Sequence, residues 1–162
     1  MKIGIVLRGL HRSESDLAHE LLVVSERHKA DHEMYHLARD LAAWSQRHVR
    51  EIAELAPSYG EDLDPDPDPG DATRLGRAVR EKSSELLGRT SSPGLLKLRD
   101  LRELYVKASG VSVDWEMLAQ AAQGLRHADL LALTQRCHPE TLRQMRWANA
   151  MIKESSTQVL VS

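Results

Sequence analysis

From Ser13 to Ala56 the chain contains neither proline nor glycine, and apolar residues recur through it at helical spacing. Leu17, Leu21 and Val24 begin a seam that Tyr35, Ala38, Ala42, Val49 and Ile52 take up again. Three- and four-residue steps keep side chains on one face of a helix, so this stretch folds as helix and buries that face. Ser13 is a candidate N-cap, with Glu14 and Asp16 in the first turn where the helix dipole favours acids. Pro57 is the expected stop, because the residue before proline resists the α region. A helix of this length is open to a kink or break. Between Val24 and Tyr35 the inward positions are Arg27, His28, Asp31 and His32. A buried polar group without a partner costs roughly 1–3 kcal/mol, so these residues meet polar partners, hold a ligand or face water.

Further along, residues 57–70 alternate Asp and Pro through Asp64-Pro65-Asp66-Pro67-Asp68-Pro69, which reads as an acidic, solvated connector. A second helix is expected from Asp71 to Leu87, with Leu75, Val79 and Leu86 inward, and a break over residues 88–94. Leu95, Leu98, Leu101, Tyr105 and Ala108 mark a third segment that Ser109-Gly110 ends. Ser112 caps a fourth, built on Trp115, Leu118, Ala122 and Leu125 and able to restart near Asp129. His138-Pro139-Glu140 has the look of a helix start, with Leu142, Met145, Ile152 and Val159 on the apolar face that follows. The expectation is one domain over residues 1–162: an all-α, antiparallel bundle of four to five helices.

Composition agrees and narrows the function. The chain of 162 residues has no Phe, so Leu, Ala and Val must supply the core. A net charge of −2 offers no basic face for nucleic acid. No apolar run is long enough for a membrane span, and the short one at Ile3–Leu7 is broken by Arg8. The lone Cys137 suits a reducing compartment, so a cytoplasmic protein is expected. Phosphate-binding glycine loops, nucleophile elbows and His-Glu-x-x-His are all missing from the sequence.

Histidine is concentrated in the first stretch, at positions 19, 28, 32, 36 and 48. His28, His32 and His36 stand four apart, close enough for neighbouring imidazoles to share a metal ion, and Asp31 and Glu33 add carboxylates. These five residues are the candidate metal ligands. His19 and His48 fall on the opposite face and are expected in solvent.

Glu33-Met34-Tyr35-His36 resembles the Glu-x-x-His element of ferritin-like di-iron carboxylate bundles. That resemblance implies a ferritin-like fold and metal ligation at Glu33 and His36, with iron or zinc as the metal. A second Glu-x-x-His is not in the chain: Glu116, Glu140 and Glu154 are followed three later by Ala119, Arg143 and Thr157. Leu22, Leu37 and Trp44 form a second apolar strip along the first helical stretch, as a helix buried on two sides would show. Without a complete catalytic constellation, the reading is a non-catalytic protein that associates with itself or another protein, needing no cofactor. The alternative is a metal-binding protein or oxidoreductase built on the histidine cluster.

Overall fold

The computed structural model of the chain describes residues 2–67 and 92–162. Four α-helices pack against one another: α1 (Ile3–Arg27), α2 (His32–Leu55), α3 (Pro93–Leu125) and α4 (Ala128–Val161). A 3-10 turn, Ala56–Tyr59, follows α2, and there is no strand among the described residues. The helix expected over residues 71–87 lies outside them.

The long first stretch is two helices, broken at the polar gap. His28 closes α1 with its N–H on the Val24 carbonyl, and Asp31 caps α2 by accepting from the Met34 N–H at 3.1 Å. The start also differs from expectation: α1 begins at Ile3, and Ser13 caps nothing. Ser13 and Ser15 donate instead to the carbonyls of Gly9 and His11 one turn back, which satisfies both hydroxyls inside a continuous helix.

Two further boundaries move for a common reason, the burial of an unbroken face. α3 runs through Ser109 and Gly110 because Leu101, Leu104, Ala108, Val111, Trp115, Leu118 and Ala122 stay inward on both sides of that pair. It ends at Arg126, which adopts the left-handed conformation at φ 57° while the His127 N–H reaches back to the Ala122 carbonyl. α4 passes straight through Pro139 instead of starting there. An interior proline costs a helix about 3 kcal/mol, but Leu133, Cys137, Thr141, Gln144 and Ala148 are buried on either side of it. The buried line of α4 therefore runs one residue from the predicted one, and Leu142 is exposed.

Contacts between helices are ordered along their lengths. Between α1 and α2 the Ser25 hydroxyl donates to the Tyr35 carbonyl and Glu14 meets His48, and Gly4 of α1 abuts Tyr59 in the turn after α2. On α3 and α4, Gly94 lies against Val159 and Ser112 meets His138. α1 also packs on α3, and α2 on α4. Part of the expected solvated connector is held down: Arg8 forks onto both oxygens of Glu61 at 2.8 and 2.7 Å, and His11 meets the Asp64 carbonyl. No helix among the described residues is long and apolar enough to cross a membrane.

Candidate functional site

Two layers of charge cross the interior at different heights. The first is the polar gap. Arg27 and His28, at the end of α1, both reach Asp100 of α3, at 2.5 Å to Oδ1 and 2.7 Å to Oδ2. The Asp100 side chain is 1 % exposed and that of Arg27 5 %, so this is an ion pair sealed from water. Beside it, Lys97 of α3 pairs with Asp31 at 2.7 Å. Partial burial tends to raise the Asp31 carboxyl, but Lys97 and the Met34 N–H outweigh it and hold the group below the ordinary carboxylate value.

The second layer sits midway along the bundle and centres on His48. Its side chain has no exposure at all, against the expectation of a solvated face. Nδ1 lies 2.8 Å from Oε1 of Glu14 on α1, and Nε2 lies 2.7 Å from Oε2 of Glu140 on α4. Trp115 of α3 donates its indole N–H to the same Glu14 oxygen at 2.9 Å, so all four helices contribute. Glu14 is fully buried and its Oε2 has no partner. Glu140 reaches the rim, where Arg47 also pairs with it. Burial pushes the imidazole toward its neutral form, yet the hydrogen bonds and charges of Glu14 and Glu140 win and raise its pKa above the ordinary value. With a carboxylate on each nitrogen and a raised pKa, His48 is favoured as the imidazolium, the form that can donate from both nitrogens. In that form it has no free lone pair for a metal or a substrate proton.

The five candidate ligands do not converge. His28 is spent on Asp100, and Asp31 on its cap and Lys97. His32, Glu33 and His36 are exposed on α2. His32 and His36 alone come together, their rings 4.3 Å apart. Among the described residues, no three His, Cys, Asp or Glu side chains are grouped so as to hold a metal ion. Among the described residues, Glu33 and His36 are therefore not joined by the further carboxylates that the ferritin-like set calls for. Cys137 is buried, and burial together with Glu51 and Glu14 raises its thiol far above the ordinary range, leaving it protonated. A groove of about 400 Å³ runs between α1, α2 and Pro65–Pro67, lined by Ala18, His19, Leu22, Val49 and Arg50. It touches neither charged layer.

Glu14, Asp100 and Glu140 were not singled out by the sequence pattern, although a signal existed for Glu14. It stands in the seam Leu7, Leu10, Glu14, Leu17, Leu21, where a carboxylate among leucines demands a buried partner. No known protein family, curated protein or solved structure matches the chain.

Proposed function

We propose that this chain is a non-catalytic helical-bundle protein whose outer surface binds protein, a second copy of itself or a partner. The observation that carries the reading is the placement of its large side chains. The interior charges are committed to one another, while Val106, Val113 and Met117 stand more than half or about half exposed on α3. Single exposed apolar residues are ordinary, but a strip of them on one helix is a contact surface. The order of the helix contacts supports an antiparallel arrangement, the part of the ferritin-like comparison that has support. The buried, protonated Cys137 is in keeping with a cytoplasmic setting. Sedimentation velocity across the micromolar range tests the reading, alongside retention of partners by the immobilised protein. A strict monomer that retains nothing would refute it.

A second reading has one observation in its favour. His32 and His36 are exposed, adjacent and four apart on α2, a pair able to share one zinc or iron ion with ligands from outside the chain. Elemental analysis of protein purified without chelator, repeated on His32→Ala/His36→Ala, tests it. Stoichiometric metal lost in the variant supports the reading, and metal-free wild type ends it.

A further inference from the structure

The outward face of α3 carries a pattern that no contact among the described residues explains. Val106, Gly110, Val113 and Met117 follow at steps of four, three and four, opposite the buried line through Trp115. Val106 is 55 % exposed, Val113 54 % and Met117 50 %. Gly110 stands among them in mid-helix, where glycine costs roughly 1 kcal/mol relative to alanine. A side chain there would meet nothing within 4 Å, so the fold itself does not require the glycine.

The strip is self-complementary. Turned end for end about a point between Val111 and Ser112, Val106 falls opposite Met117 and Gly110 opposite Val113. Each valine knob at 113 then meets the gap left by a glycine. On the flank of the strip nearest α1 stand Lys107 and Asp114, which border a shallow cleft with Ser13 and Asp16. In two facing helices of opposite direction, like flanks meet each other. Lys107 of one copy then stands two residues' rise, about 3 Å, from level with Asp114 of the other, within reach of a lysine side chain, twice over by symmetry. Neither side chain has an ion-pair partner among the described residues, and partial burial without a cation raises the Asp114 carboxyl.

We propose that this face of α3 docks on the same face of a second copy of the chain, the helices running oppositely about a two-fold axis level with Val111 and Ser112. The inference rests on the self-association arm of the proposed function and names its surface. A twofold contact needs one patch that complements itself, and this strip does so in shape through Gly110 and Val113 and in charge through Lys107 and Asp114. A single helix pair is a small contact beside the roughly 1,200–2,000 Å² of a standard complex, so a weak dimer, in the micromolar range, is expected.

Sedimentation equilibrium on the full chain, from low to high micromolar concentration, tests this with surface variants that leave the core untouched. Lys107→Asp and Asp114→Lys, made separately, set like charges opposite each other twice. Each is expected to weaken the dimer roughly tenfold. The double variant Lys107→Asp/Asp114→Lys restores opposite charges and is expected to return the dimer to within about threefold of wild type. Val113→Lys is expected to abolish it. Circular dichroism confirms that each variant keeps its helices. A wild-type monomer at high micromolar concentration overturns both this inference and the self-association arm. A wild-type dimer indifferent to all four variants overturns the α3 face alone and moves the contact elsewhere.

Discussion

Replacing His48 with leucine removes the pin that joins Glu14 to Glu140, and its cost follows from what each carboxylate has left. Glu140 is partly exposed and keeps Arg47. Glu14 has no exposure; once the imidazolium is gone its charge retains only the Trp115 N–H, on an oxygen whose twin is already unpartnered. Removing one partner from a buried ion pair costs about 3–5 kcal/mol, because the remaining charge is stranded. Leucine is close to histidine in volume, so little of this is cavity. Against a total stability of about 5–15 kcal/mol, the loss lowers Tm by roughly 6–20 °C.

Urea unfolding followed by far-ultraviolet circular dichroism measures it, with His48→Leu/Glu14→Leu as the control. The double variant removes the stranded charge and leaves an unpaired indole N–H, worth about 1–3 kcal/mol. It is therefore expected to be more stable than the single variant. The pH dependence has a defined sign. The folded pKa of His48 is raised, so its stabilisation is fully present below its unfolded value of about 6.5. It is lost as pH rises through the folded value. The gap between wild type and His48→Leu should narrow on the alkaline side. A single variant within about 1 kcal/mol of wild type near neutral pH, or a double variant no better than the single, would refute the stranded-charge argument.

Three other outcomes follow from the same structure. Asp100→Asn strands the Arg27 guanidinium and is expected to cost about 3 kcal/mol in urea unfolding, whereas Lys97→Ala, from a more exposed pair, costs less than about 1 kcal/mol. Gly4→Ala places a methyl 2.7 Å from the Tyr59 carbonyl oxygen and lowers Tm, while Gly9→Ala meets nothing and gains up to about 1 kcal/mol. Cys137 is expected to resist a thiol reagent in the native protein and to react at the rate at which urea opens the bundle; rapid labelling without denaturant would contradict its burial.

The helical character of the chain was legible because the seam Leu17–Leu21–Val24 and its continuation permit no other period. The polar gap was legible as a place where something must happen, but not as a helix break with Asp31 as cap. The partner of Arg27 and His28 is Asp100, which the sequence pattern does not single out. That residue sits beside Leu101 and looks from the sequence like an ordinary polar flank, since a single chain of letters does not show how far α3 is rotated. His48 was misplaced for a related reason. Its neighbour Val49 belongs to the seam, and about 100° of rotation seemed to carry His48 into solvent. α2, however, packs against both α1 and α4, so its buried arc is wide enough to include both residues. The breaks expected at Ser109-Gly110 and His138-Pro139 failed because local helix weakness is a small cost beside a continuous buried face.

The two charged layers together explain how a core this poor in aromatics holds one arrangement. Leucine and alanine faces slide past each other at little cost, since one apolar contact replaces another. A buried ion pair does not slide, because displacement by one turn strands both charges. Arg27 and His28 with Asp100 fix α1 against α3 near one end of the bundle. Glu14, His48, Glu140 and Trp115 fix all four helices midway. Two fixed heights on α1 and α3 determine both the offset and the direction of that pair, which is the use of buried polar residues best attested in helical bundles. Replacing the whole His48 layer with apolar residues is therefore expected to alter uniqueness more than stability. Broadened amide resonances in a variant that still melts near the wild-type temperature would show it, and a sharp native spectrum would assign register to the apolar packing alone.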